Sequence, residues 1–165
     1  MDKEIALLVN QDICFSALNK PLSGSKDLLS QILHVDFEKE STIRTYKDGS
    51  KDYNFYSKGI SVFTTISSGQ DVVDSIDFYL IQSKSTSLMK VVTDDLNLPL
   101  DISREDTGQS LVEKFGEPLE KGGGMDKGAM NIWLRWNHFQ VEINEKSWNS
   151  AQTSKVKSIT IFKDK

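Results

Sequence analysis

The chain has 165 residues, 38% of them hydrophobic and 27% charged, and 20 Lys and Arg against 24 Asp and Glu leave a net charge of −4. This is the balance of a soluble globular protein of single-domain size, and it excludes a disordered chain. Neither sign gathers into a block, which argues against a nucleic-acid partner, and no apolar run approaches the ~18 residues of a membrane span.

The start, Met1-Asp2-Lys3-Glu4 before a short apolar stretch from Ile5 to Val9, lacks the basic region and long apolar run of a secretory signal, so a cytoplasmic location is expected. Ile5, Leu8 and Val9 stand at helical spacing and predict a short first helix. Cys14 is the single cysteine, which allows no internal disulfide and predicts a buried, inert thiol. Pro21 breaks the chain, and Ser23 or Ser25 caps a second helix whose stripe is Leu28, Leu29, Ile32 and Leu33. Beyond His34 the pattern turns to strands. Val35 to Tyr46 is the weakest of these, Tyr53 to Ser57 and Ile60 to Ile66 flank a hairpin turn at Lys58-Gly59, and Val73 to Ile81 follows.

Residues 82–97 are weakly patterned and serve as a connection. The plan then begins again, with Ser103 as N-cap and Asp106 three residues on, a helical stripe of Leu111, Val112 and Phe115, and a stop at Gly116 and Pro118. A Gly122-Gly123-Gly124 loop leads to three further strands, Ile132 to Trp136, Phe139 to Asn144 and Val156 to Phe162. Val73-Asp74-Ser75-Ile76-Asp77-Phe78 also lies over Val156-Lys157-Ser158-Ile159-Thr160-Ile161 as a weak repeat. The expected fold is α+β: one domain over 1–165, with helices on one face of an antiparallel sheet in two similar helix-plus-meander halves, about 1–82 and 99–165, joined by 83–98.

No catalytic motif stands out. The glycine stretch from Gly122 to Gly128 lacks the Lys-Ser/Thr pair and the strand-to-helix setting of a phosphate-binding loop. His34 and His138 are far apart and neither belongs to a metal motif, so no metal, cofactor or enzymatic activity is expected. Strand parity assigns Ile60, Val62, Ile66, Ile76, Phe78, Leu80, Ile132, Leu134, Phe139, Val141, Ile143, Ile159 and Ile161 to the core. The opposite parity carries Phe63, Thr65, Asp77, Tyr79, Trp133, Arg135, Gln140, Glu142 and Thr160, and of these Phe63, Tyr79, Trp133, Arg135, Gln140 and Glu142 are the candidate partner-binding residues. Aromatic and Arg side chains among polar ones have the composition of a protein-recognition surface, although the same aromatics can pack beneath loops or the other half.

Gly59-Ile60-Ser61-Val62, Val73 to Phe78, Pro99-Leu100, Phe115-Gly116-Glu117-Pro118, Trp133 to Trp136 and Val156-Lys157-Ser158-Ile159-Thr160 follow one another as in a known pattern. In this the chain resembles the pyocin-immunity-type family of bacteriocin and polymorphic-toxin immunity proteins. The helix-then-Gly-x-Pro start is also similar to outer-membrane assembly lipoproteins and β-lactamase inhibitor proteins. The duplicated plan resembles the inhibitors, which are secreted and disulfide-bonded. The resemblance implies stoichiometric, non-catalytic binding of a cognate protein toxin; the six residues selected by strand parity are the candidate contact surface, and composition leaves neither membrane nor nucleic acid as an expected partner. A small-ligand-binding or chaperone-like module is the other class that this pattern allows.

Overall fold

The structure, a computed structural model, describes residues 2–82 and 88–163. Helices α1 (Asp2–Gln11), α2 (Lys26–Leu33) and α3 (Phe37–Glu40) precede strands β1 (Thr42–Thr45), β2 (Lys51–Phe55), β3 (Ile60–Ser67) and β4 (Gln70–Tyr79). Helix α4 (Gly108–Phe115) leads into β5 (Glu120–Gly124), β6 (Met130–Trp136) and β7 (Phe139–Ile143), and α5 (Trp148–Ala151) precedes β8 (Val156–Phe162). All eight strands join one antiparallel sheet in the order β1-β2-β3-β4-β8-β7-β6-β5, and the helices bury their apolar sides against one of its faces. The fold is therefore α+β. Among the described residues no helix is long and apolar enough to cross a membrane.

In the first half, α1 buries Ile5 and Val9, one turn apart, while Leu8 turns outward. Helix α2 buries Leu29 and Leu33, with Leu28 and Ile32 packed at the margin. Each fully buried side chain of this size stabilises by about 1.5–3 kcal/mol relative to exposure. Ser25 stands at the N-cap, but its hydroxyl donates back to the Pro21 carbonyl at 2.8 Å and caps no amide. The segment from Val35 to Tyr46 is not one strand. Asp36 accepts from the Lys39 amide at 3.1 Å and starts the single turn of α3, whose Phe37 ring lies 5.2 Å from Tyr53 and 5.1 Å from Phe55. Only Thr42–Thr45 is extended, and it is an exposed edge. The connection beyond residue 82 falls partly outside the described residues, and its later part is packed, with Met89, Val92 and Leu96 buried.

In the second half the N-cap is Thr107, not Ser103. Thr107 accepts from the Ser110 amide at 3.2 Å and the Ser110 hydroxyl accepts from the Thr107 amide at 2.8 Å, a reciprocal capping box. Ser103 and Asp106 form the turn before it. Burial works against the Asp106 carboxylate, but hydrogen bonds from Lys114 at 2.8 Å, the Ser103 amide at 2.7 Å and the Ser110 hydroxyl at 2.6 Å outweigh it and hold its carboxyl below the usual range. The Gly122-Gly123-Gly124 run, read as a loop, is most of edge strand β5. A Cβ on Gly122 would land on the Trp133 indole, and one on Gly124 would lie 2.7 Å from Trp148 Nε1. The two tryptophans cover the bare backbone in place of side chains, as aromatic neighbours do for edge glycines.

The two meanders share one ladder. Laying β3–β4 on β7–β8 puts Ile60, Ser61, Val62 and Phe63 on Phe139, Gln140, Val141 and Glu142, and Phe78, Asp77, Ile76 and Ser75 on Ile161, Thr160, Ile159 and Ser158. The bulges coincide too, since the register skips Asp74 in β4 and Lys157 in β8. Gly59 and His138 then correspond, with φ 71° and 72°, and their carbonyls accept from the corresponding Tyr79 and Phe162 amides, each at 2.9 Å. Leu29 and Leu33 of α2 match Leu111 and Phe115 of α4, and the caps His34 and Gly116 both have positive φ. At the seam, Ser75 pairs with Phe162, Asp77 with Thr160 and Tyr79 with Ser158, which exchanges corresponding residues. A pseudo-two-fold axis therefore runs through the Asp77–Thr160 pair, perpendicular to the sheet.

Candidate functional site

The face turned away from the helices carries side chains in cross-strand rows. The central row runs Thr42, Asn54, Ser61, Asp77, Thr160, Gln140, Arg135, Glu120, spanning all eight strands. Beside it lie Arg44, Asp52, Phe63, Ser75 and Phe162 on one flank and Tyr79, Ser158, Glu142, Trp133 and Gly122 on the other. The pseudo-two-fold axis exchanges the flanks. All six residues that strand parity selected, Phe63, Tyr79, Trp133, Arg135, Gln140 and Glu142, share this face, and each is half-buried between its neighbours. Ile66, assigned to the core, instead lies beyond its edge with 52% of its surface exposed.

At the centre the Thr160 hydroxyl donates to Asp77. Burial pushes the Asp77 carboxyl up to about 6 against the lowering effect of that bond, and the negative charges of Asp52 and Glu142 on either flank push it further. Tyr79 is pushed up to about 12, first by burial and then by the Asp77 charge. The middle of the face is thus short of positive charge. Arg135 does not pair with Glu142: its guanidinium stands 5.0 Å over the Phe162 ring and 3.6 Å from Glu120. Glu142 accepts from Asn131 at 3.0 Å and from Ser158 at 3.3 Å. Trp133 lies along β5 over Gly122, so it is partly structural as well as accessible.

Phe162, Asp52 and Asp77 belong to the same surface and were not among the six. Parity held the signal for Phe162, which alternates with Ile161 as Thr160 does. It held none for the pairing of Asp77 with Thr160, which exists only because β4 and β8 meet at the seam. Among the described residues no three His, Cys, Asp or Glu side chains are grouped to hold a metal ion. Cys14 is buried, and desolvation together with the Asp12 carboxylate pushes its thiol up to about 12, which makes it unreactive.

No family model and no curated protein sequence matches the chain. Among solved structures it is similar to a cysteine-rich secretory protein from Staphylococcus aureus, at 12% identity and a TM-score of 0.45. The likeness covers 91% of this chain and 44% of that one, so the chain spans less than half of its structural neighbour, at a distance that carries no inference about either fold or function.

Proposed function

We propose that the chain is a non-catalytic binding module that neutralises a cognate protein toxin in the cytoplasm by docking it on the open face of the sheet. The observation that carries this is the contrast between the two halves. Corresponding core residues are apolar in both, as in Phe55 and Trp136, Ile60 and Phe139, Val73 and Val156, Ile76 and Ile159. The exceptions are Thr64, which corresponds to Ile143 and whose buried hydroxyl has no partner among the described residues, and Lys51, which corresponds to Ile132 and pairs with Asp71 at 2.8 Å. On the open face Asp52 corresponds to Trp133, Asn54 to Arg135, Phe63 to Glu142 and Asp77 to Thr160, and only Ser75 and Ser158 are the same.

Folding alone asks little of a solvated sheet face, and drift in water does not favour half-exposed Phe63, Tyr79, Trp133 and Phe162. Large aromatics of this kind supply most of the energy of a protein interface. Asp52, Asp77, Glu142 and Glu120 outnumber Arg44 and Arg135, so the partner surface that fits is basic. The test is co-expression with the product of the adjacent gene, followed by titration calorimetry. A 1:1 complex is expected, with Trp133→Ala and Tyr79→Ala each weakening it at least tenfold, ~1.4 kcal/mol or more. Unchanged affinity in both folded variants would place the partner elsewhere.

A further inference from the structure

The pseudo-two-fold axis also relates the helix-covered face of the two halves, and there they differ in their covering turns: α5 stands between β7 and β8 only, and α3 stands before β1 only. In the first half the chain runs from the cap His34 through α3 before β1 begins at Thr42; in the second it runs directly from Gly116 to Glu120, the counterpart of Thr42. The single turn that carries Phe37 therefore has no equivalent. In the first half Phe37 closes the space between α2 and β2: its amide donates to Ser30 at 3.2 Å, the Lys26 ammonium stands 6.0 Å over its ring, and the ring rests on Tyr53 and Phe55. The residues matching Lys26, Ser30 and Tyr53 are Gly108, Val112 and Leu134. These three line an open groove between α4, α5 and β6, floored by Ile132, Leu134 and Ile143, with Trp148 at its rim. On one side α5 covers Gly108 with the Ala151 carbonyl, and the groove is the part of the Phe37 counterpart that stays open beside it.

We propose that this groove receives an aromatic side chain presented on a basic helical turn of a partner protein. The shape follows from the first half, where a Phe on one helical turn fills the same position. The charge follows from the rim, where exposed Glu113 and Glu117 face a single Lys121. Trp148, 43% exposed, is an aromatic wall for the incoming ring. The groove lies on the opposite side of the sheet from the open face, and its test does not depend on the toxin-binding reading.

The probe is a capped helical peptide with one Phe flanked by Lys residues, titrated into the full-length, isotope-labelled protein and followed by amide chemical shifts. Saturable shifts confined to the surroundings of Val112, Leu134, Trp148 and Ala151 are expected, with at least fivefold weaker binding when the peptide's Phe is replaced by Ala. Val112→Trp, which fills the groove, should abolish binding. Glu113→Lys with Glu117→Lys, on the exposed rim and neutral for folding, should weaken it at least threefold. Equal binding of Phe and Ala peptides, no shifts up to millimolar peptide, or no effect of the rim reversals would overturn the proposal. So would indole binding the groove as tightly as the peptide, which would mark a small-molecule pocket, or a concentration-dependent dimer abolished by Val112→Trp, which would mean that a second copy fills it.

Discussion

The two halves of this sheet are built on the same ladder and finished differently. Strand pairing, the two bulges, the left-handed position after the second strand and the leucine that anchors each helix all correspond, from Gly59 and His138 to Leu29 and Leu111. These are the features that folding requires, because a one-residue slip in any ladder would turn its core side chains outward. What differs is what no ladder demands: most of the outward positions, apart from Ser75 with Ser158 and the aromatic pair Tyr79 and Phe162, and the covering turns, with Phe37 on one half and α5 on the other. The comparison separates residues that hold the sheet together from residues available for a partner.

The largest effects should come from the aromatic cluster of the second half. Trp136 is stacked on Phe139 at 5.0 Å and donates to the Gly116 carbonyl at 2.9 Å, and Phe115 packs edge-on 4.9 Å from Phe139. Phe115→Ala should cost about 3–5 kcal/mol. In urea denaturation it should shift a single transition seen equally by probes in both halves; a second transition would mean that the seam between β4 and β8 does not couple them. Next comes the corresponding turn pair. A Cβ on Gly59 would meet the Lys90 carbonyl at 2.7 Å, whereas His138 already carries one at nearly the same φ. Gly59→Ala should therefore cost ~2 kcal/mol or more and His138→Ala clearly less, by thermal melting; equal costs would show that the two turns are not equivalent.

Asp77 on the axis gives a pH-dependent difference. Its folded-state carboxyl, raised to about 6, keeps its proton where the unfolded chain, near 3.8, has lost it, so stability contributed there falls as pH rises from about 4 to about 6. Asp77→Asn should stabilise the protein at pH 8 by about 1–2 kcal/mol, and the gain should vanish below pH 4. A gain independent of pH would sever it from this carboxyl. The smallest effect should be Trp133→Ala, which uncovers Gly122 at the edge and should cost ~1 kcal/mol in stability, well below Phe115→Ala. A cost as large as that of Phe115→Ala would make Trp133 a core residue and remove it from the partner face.

The sequence by itself determined the elements whose pattern is local. Alternation in Ile60 to Ile66, Phe139 to Ile143 and Val156 to Phe162 placed each strand and chose its buried side, except at Ile66, and the stripes of Leu29 and Leu33 and of Leu111 and Phe115 placed both main helices. It placed all six candidate partner residues on one face for the same reason. It misplaced the cap at Ser103, where Ser-x-x-Asp resembles a capping box that Thr107 and Ser110 actually form, and it did not show the turn at Phe37. It made a loop of Gly122 to Gly124, because glycine has no strand preference of its own and these residues are extended only where Trp133 and Trp148 lie over them. The weak repeat between Val73 and Ile161 hinted at two similar halves. Only the tertiary structure decided how they meet, because the pairing of Asp77 with Thr160 and the groove left without a Phe37 both depend on contacts between residues distant in the chain, which no local period encodes.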